Sequence, residues 1–282
     1  MKAKINVSEI QRMKKEGRKI TCVTSYDYIT AALAEKAGIE LILVGDSAGM
    51  VVLGYENTIP VTVDEMILFS RAVTRGNKRS LIVGDMPFMS YQASDEDAVR
   101  NAGIFVKDGG VDAVKIEGGL RMKSRVEALT RAEIPVMGHV GLTPQTSTLW
   151  NGYRVQGRTE NDAEGIIRDA KALEEAGVFS VVLEMVTSEV AKLITEQLSI
   201  PTIGIGSGPF CNGQIVVLHD ILGLYDKFSP KFIKKYANLA EEIQKAIEAY
   251  RDDVLKGRFP GEEHTFHMKE FKTRQIRRIS RR

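Results

Sequence analysis

The chain has 282 residues, 43% hydrophobic and 27% charged, a composition that fits a globular protein with a sizeable core and excludes a disordered body. No apolar run approaches the ~20 residues of a membrane span, Met1-Lys2-Ala3-Lys4-Ile5-Asn6 has no apolar signal-peptide core, and two cysteines without metal or disulfide-framework spacing fit a reducing cytoplasm. The net charge of +2 is uneven, because residues 267–282 hold seven Lys/Arg and one Glu: the end is basic, the body is mildly acidic, and nothing in the body suggests a nucleic-acid surface.

The first predicted strand, Ile20–Ser25, runs into Thr24-Ser25-Tyr26-Asp27 and lacks a glycine-rich phosphate turn. A helix stopped at Gly38 precedes the second strand, Leu41–Val44, which closes on Gly45-Asp46-Ser47. After the long connection Ser47–Val61, Thr62 and Glu65 have capping-box spacing. The third strand, Leu81–Val83, closes on Gly84-Asp85 and nearly repeats the second. Ser94, ahead of Asp95-Glu96-Asp97, reads as a helix start, with Val99, Ala102, Gly103 and Val106 as the apolar face and Gly109 as the stop.

The fourth strand, Ala113–Ile116, runs into Glu117-Gly118-Gly119 and carries Lys115. The fifth, Pro135–Val140, carries His139 and leads into a second long connection, 143–158. Gly177 ends a helix before the sixth strand, Ser180–Leu183, which closes on Glu184. The seventh, Thr202–Ile205, opens into Gly206-Ser207-Gly208, and the eighth is Ile215–Leu218. The last helix, Pro230–Leu255, bears an apolar stripe of Tyr236, Leu239, Ala240, Ile243, Ala246, Ile247 and Tyr250, expected to pack on its own barrel and able to serve subunit contacts instead.

Short strands, apolar on both faces and recurring about every 35 residues, predict an α/β fold: a (β/α)8 TIM barrel with a long C-terminal helix. A doubly wound sheet is the alternative, and would usually show an early glycine-rich turn. The barrel is expected to be one catalytic domain, residues 1–266, followed by a disordered basic tail, 267–282.

In a barrel, Asp46, Asp85, Glu117 and Glu184 fall on the rim where the strands end. One acid after a strand is as readily a turn former as a functional group. Four converging acids repel and need a cation or a proton between them, and oxygen ligands favour magnesium or calcium over zinc. Asp46, Asp85 and Glu117 follow neighbouring strands and can share one ion; Glu184, across the mouth, is left as a base. Lys115 shares a strand face with Glu117 and is expected to point at the acids or an anionic substrate, rather than snorkel to solvent. His139 is a substrate contact or a satisfied core histidine. Ser47 offers a hydroxyl or an N–H to a bound anion. Gly204-Ile205-Gly206-Ser207-Gly208 is either a phosphate site or a place of close backbone approach.

The stretches Thr24-Ser25-Tyr26-Asp27, Val44-Gly45-Asp46-Ser47, Val83-Gly84-Asp85-Met86-Pro87-Phe88, Val114-Lys115-Ile116-Glu117-Gly118-Gly119, His139-Val140-Gly141-Leu142-Thr143-Pro144-Gln145, Tyr153-Arg154-Val155-Gln156-Gly157-Arg158 and Gly204-Ile205-Gly206-Ser207-Gly208 stand in one order along the chain. In these the chain resembles the 3-methyl-2-oxobutanoate (ketopantoate) hydroxymethyltransferase family, from about residue 4 to Glu263-His264-Thr265-Phe266. The resemblance implies a Mg2+-binding barrel that moves a one-carbon unit from 5,10-methylenetetrahydrofolate to 3-methyl-2-oxobutanoate, giving 2-dehydropantoate for pantothenate and coenzyme A synthesis. It implies Asp46, Asp85 and Glu117 at the metal, and Asp46, Ser47, Asp85, Lys115 and His139 at the oxoacid. It also implies Glu184 as the proton acceptor and a homo-oligomer, commonly a decamer, with no nucleic acid or membrane as partner. Asn212 departs from the Asp more usual there, which bears on the carbon-donor side.

A Mg2+-dependent oxoacid lyase or mutase of the phosphoenolpyruvate mutase and isocitrate lyase type would share the barrel and the enolate. It would usually need a Cys in a mobile loop, and neither Cys22 nor Cys211 sits in one. A barrel kept only as a scaffold should have lost a chemical residue, and none of the family's is missing.

Overall fold

The computed structural model describes residues 3–146, 154–225 and 230–268. Eight parallel strands close a barrel in chain order: β1 (Ile20–Thr24), β2 (Leu41–Val44), β3 (Leu81–Asp85), β4 (Ala113–Glu117), β5 (Val136–Gly141), β6 (Ser180–Glu184), β7 (Thr202–Ile205) and β8 (Gly213–Val216), the last pairing with β1. Closure excludes the doubly wound sheet. The helices are α1 (Val7–Lys15), α2 (Tyr28–Ala37), α3 (Ala48–Val51), α4 (Val63–Gly76), α5 (Asp95–Ile104), α6 (Lys123–Arg131), α7 (Glu160–Glu175), α8 (Ser188–Gln197), α9 (Leu218–Ile221) and α10 (Leu239–Leu255). The chain divides into two compact units, Met1–Tyr236 and Ala237–Arg282. Among the described residues no helix is long and apolar enough to cross a membrane.

Strand alternation sorts the core into two clusters. Val23, Ile42, Val44, Ile82, Val114, Ile116, Val181 and Leu183 point outward, under the helices. Ile20, Cys22, Leu41, Leu43, Leu81, Val83, Ala113, Met137, Val182, Ile203 and Ile215 point inward and fill the barrel. Ile5, Ile10 and Met13, from α1 and the segment before it, join the inner cluster. Helix α1 therefore seals the N-terminal end of the barrel. Asn6 starts it by accepting the Glu9 amide at 2.9 Å. Lys14 anchors it, donating to the carbonyls of Thr195 (3.0 Å), Leu198 (2.7 Å) and Ile200 (2.9 Å) at the end of α8.

Several local expectations hold. Thr62 and Glu65 form a capping box on α4, and Ser94 accepts the Asp97 amide at 3.1 Å to start α5. Gly38 (φ 87°) and Gly177 (φ 97°) end helices in the left-handed region. The α5 stripe is corrected: Ala98, Ala102 and Phe105 are buried, and Val106 is exposed. Ala98, Ala102 and Phe105 have ordinary i, i+4, i+7 helical spacing, so the buried face is rotated one residue from the expected stripe, and the helix widens into a π-turn from Phe105 to Gly109. Phe105 lies so close to β3 that a Cβ on Gly84 would sit 2.6 Å from its ring.

Strand β8 starts earlier than expected, because Gly213 pairs with both Ile20 and Ile203. The chain then turns into α9. In the second unit, α10 begins at Leu239 rather than Pro230. Tyr236 instead donates its amide to the Ile221 carbonyl at 2.7 Å. Within its own unit no residue of α10 is buried. The basic tail, 267–282, falls from residue 269 on outside the described residues, as do 147–153 of the second long connection.

Candidate active site

The inward alternation that fills the barrel with apolar side chains continues to the strand ends and there becomes polar. After Leu81 and Val83 comes Asp85; after Ala113, Lys115 and Glu117; after Met137, His139; after Val182, Glu184. Asp85, Glu117 and Glu184 are the last residues of their strands rather than the first beyond them, held there by ladder pairing. Asp85 pairs with Lys115, Glu117 with His139, and Glu184 with Gly141. Asp46 lies just past β2.

These side chains meet. Lys115 Nζ donates to Asp85 Oδ1 at 2.7 Å and to Glu117 Oε1 at 3.4 Å. The Asp46 amide donates to Asp85 Oδ2 at 3.2 Å. His139 places Nδ1 3.4 Å from Glu117 Oε1 and Nε2 3.2 Å from Glu184 Oε2, although neither contact has full hydrogen-bond geometry. His139 thus stands between Glu117 and Glu184. The Glu184 side chain is the most open of the set, 16% exposed against 2–4% for Asp85, Lys115, Glu117 and His139.

Electrostatics follow from burial and charge. Burial and the neighbouring Asp85 charge push Asp46 well above the usual carboxylate range. Burial also raises Asp85, with Lys115 opposing it. Burial would raise Glu117 too, but Lys115 and His139 hold it below its ordinary value. Burial alone would strip the proton from Lys115; Asp85, Glu117 and Asp46 reverse that and raise it, so it is a cation. His139, despite burial and the Lys115 charge, is pushed up to about 9 by its two carboxylates.

A cavity opens over these groups. Asp46, Ser47, Asp85, Lys115, Glu117, His139 and Glu184 line it on the polar side, and Leu43, Met50, Val182, Met185, Ile205 and Ile215 on the apolar side. The seven residues expected at the metal, at the oxoacid or as the base all face this space. The Ser47 hydroxyl is paired with the buried Tyr26 Oη at 2.8 Å.

Two residues were missed as parts of the site, Tyr91 and Gln145. Gln145 Nε2 donates to Asp46 Oδ2 at 2.9 Å, and its backbone N–H donates to Glu117 Oε2 at 3.1 Å. Tyr91 Oη lies 2.7 Å from Gln145 Oε1 and accepts the Glu117 amide at 2.9 Å. Both sit in loops without periodicity, so the available signals were Gln145's place four residues past a strand end and its position in the stretch His139–Gln145 that carries the family resemblance.

Two open readings are resolved. In Gly204–Gly208 close approach wins over a phosphate site: a Cβ on Gly208 would lie 2.3 Å from Ser188 Oγ, and one on Gly206 2.8 Å from the Phe232 ring. The Ser207 hydroxyl is used internally, donating to Leu183 O at 2.7 Å and accepting from Val186 N at 3.0 Å. Asn212 was expected to bear on the carbon-donor side. It lies at the opposite end of the barrel, where its Oδ1 accepts the Thr202 amide at 3.0 Å beside the start of β7.

A hard cation suits this donor set. Asp46 and Asp85 are adjacent and buried, and burial first and neighbouring carboxylates second raise them, which a divalent ion would relieve. Among the described residues no three Asp, Glu, His or Cys side chains form a ready-made cage. Magnesium does not require one, since it commonly takes one or two carboxylates and completes its shell with substrate and water.

A family model for ketopantoate hydroxymethyltransferase matches residues 4–262. The chain belongs to the ketopantoate hydroxymethyltransferase family. Among its relatives, the 3-methyl-2-oxobutanoate hydroxymethyltransferase of Moorella thermoacetica is 55% identical over 265 residues, 94% of this chain and 98% of that one. The protein of the same name from Nitrosopumilus maritimus is 55% identical over 272 residues, 96% of this chain and 97% of that one. Family membership covers the whole barrel and the rim residues just described.

Solved structures extend the likeness to the fold alone. A phosphoenolpyruvate phosphomutase from Streptomyces platensis matches with a TM-score of 0.61 at 14% identity, covering 98% of this chain and 97% of that one. A phosphonopyruvate hydrolase, solved with oxalate and Mg2+, matches at 0.57 and 14%, with the same coverage. This chain therefore shares its barrel fold with these two enzymes.

Proposed function

We propose that this chain is a 3-methyl-2-oxobutanoate hydroxymethyltransferase. It moves a one-carbon unit from 5,10-methylenetetrahydrofolate to 3-methyl-2-oxobutanoate and makes 2-dehydropantoate for pantothenate and coenzyme A synthesis. The observation that carries the reading is the division of the rim: a buried acid cluster around Lys115, and beside it the more open Glu184 facing the same cavity.

A C–H next to a ketone is a poor acid, and a bound Mg2+ would supply Lewis acidity toward the keto oxygen. Asp46 and Asp85 are the ligands we assign to it. Glu117, already held by Lys115 and by the Gln145 amide, acts through water. Lys115, Ser47 and His139 bind and balance the oxoacid, and Leu43, Val182, Ile205 and Ile215 shelter its branched end from water. Glu184 takes the C3 proton. Water adds to the folate's one-carbon unit and both of its C–N bonds break, releasing tetrahydrofolate and leaving the carbon at the level of formaldehyde; the C3 carbanion adds to that carbon, and the new alkoxide takes up a proton to give the hydroxymethyl group.

The test is turnover of 3-methyl-2-oxobutanoate with methylenetetrahydrofolate, with and without EDTA, alongside deuterium exchange at C3. Mg2+-dependent exchange and turnover are expected. Absence of exchange with Mg2+ present would favour a lyase or mutase that shares only the barrel.

We also infer a homo-oligomer, with a decamer as the form the family resemblance implies. Ile243, Ile247, Tyr250 and Val254 make one apolar face on α10, and all are exposed. A contiguous apolar face of this kind marks an association surface. Sedimentation of the purified protein as a monomer would refute it.

A further inference from the structure

Gln145 joins loops that the sequence keeps far apart. It follows β5, yet its side chain reaches Asp46 beyond β2 and the Met86 carbonyl beyond β3, both at 2.9 Å from Nε2. Its backbone N–H holds Glu117 of β4 at 3.1 Å. Its Oε1 lies 2.7 Å from Tyr91 Oη and 3.3 Å from Gln92 Nε2. The residue is buried, at 1% exposure.

Only one orientation of the amide satisfies these partners. Nε2 faces two acceptors and Oε1 faces two donors, so a flipped amide would oppose like groups on both sides. Tyr91 locks the orientation, because its hydroxyl accepts the Glu117 amide at 2.9 Å and so has its proton left for Gln145 Oε1. Asp46 and Glu117 thus each receive an N–H from the same residue. Those donors fix one oxygen of each carboxylate, and a donated N–H favours the ionised form that a cation needs.

We infer that Gln145 is a positioning residue for the metal site, with Tyr91 as its lock. Gln145 does not touch the ion; it presets the carboxylates of Asp46 and Glu117 so that a divalent cation meets them already oriented. Partners of this kind behind metal ligands commonly contribute tenfold to a hundredfold in affinity. The inference rests on the proposed reading in which Asp46 and Asp85 would hold Mg2+ and Glu117 would act on it through water.

The experiment compares Gln145→Met, which keeps the side chain's length and the backbone donor but removes the amide, with Tyr91→Phe, which removes the lock together with the acceptor of the Glu117 amide. Mg2+ affinity of the full-length protein is measured by titration calorimetry, and Mn2+ affinity by loss of the free-ion electron paramagnetic resonance signal. Gln145→Met should weaken both ions about tenfold or more, with kcat largely recovered at saturating Mg2+. Tyr91→Phe should shift affinity in the same direction by less, and the double variant should fall short of the sum. Wild-type Mg2+ affinity in a folded Gln145→Met protein overturns the proposal. If that variant does not fold, unchanged affinity in Tyr91→Phe overturns it instead. A wild-type protein that binds neither ion removes the metal reading itself, and this proposal with it.

Discussion

Lys115 and Asp85 form a buried ion pair, Nζ to Oδ1 at 2.7 Å, on adjacent strands whose ladder sets them opposite each other. Removing the cation leaves Asp85 and Glu117 facing each other without compensation. Breaking such a pair costs about 3–5 kcal/mol. Lys115→Met should therefore lower the thermal midpoint strongly in EDTA, and added Mg2+ should recover part of the loss. An unchanged midpoint in EDTA would show that the pair carries no such weight.

Glu184→Gln keeps the shape of the side chain and removes its basicity. Oxoacid and Mg2+ affinity should stay near wild type, while C3 exchange falls by about 10²-fold or more. Exchange at the wild-type rate would remove Glu184 as the base.

Gly141 and Glu184 are packed backbone to backbone. Gly141 has φ 96°, and a Cβ there would lie 2.4 Å from the Glu184 carbonyl oxygen, which also accepts the Leu142 amide at 2.9 Å. Gly141→Ala should cost at least about 1–2 kcal/mol for the left-handed backbone alone. It should also lower kcat more than oxoacid affinity, because the displaced group carries the base. Chemical denaturation and steady-state kinetics on one preparation would check both.

The barrel was legible because its strands are apolar on both faces, and the acids because they stand where that pattern breaks. Lys115 and Glu117 were paired correctly from period 2 alone. What could not be read depends on contacts between distant segments. His139 bridges Glu117 and Glu184 only because β5 lies between β4 and β6. Gln145 and Tyr91 act through loops whose mutual placement no local pattern encodes. The buried face of α5 and the irregular chain before α10 differ from the helix readings for the same reason, since tertiary packing decides them.

Asp220 lines the cavity, half-buried, and burial raises its carboxyl to about 6. Its folded pKa lies above the unfolded value, so its charge disfavours the fold at neutral pH, and the penalty fades as pH falls through 6 toward 4. Asp220→Asn should be more stable than wild type at pH 7–8, and the advantage should vanish near pH 4. Thermal midpoints across that range would decide it; equal midpoints at pH 8 would contradict it.

Asn212 sits at the sealed end of the barrel, bonded to Thr202. Asn212→Asp should leave KM for methylenetetrahydrofolate unchanged and stability within about 0.5 kcal/mol. A shifted KM would return this position to the carbon-donor side.

The plug formed by α1 has a consequence for how the molecule assembles. Lys14 binds carbonyls 181 to 186 residues further along the chain. The helix made first therefore docks only once α8 and the start of β7 exist, and the loop it closes spans most of the barrel. Contacts of such long sequence separation form slowly. During synthesis Ile5, Ile10 and Met13 gain their full set of partners only at that late step, and apolar surface left open until then favours aggregation.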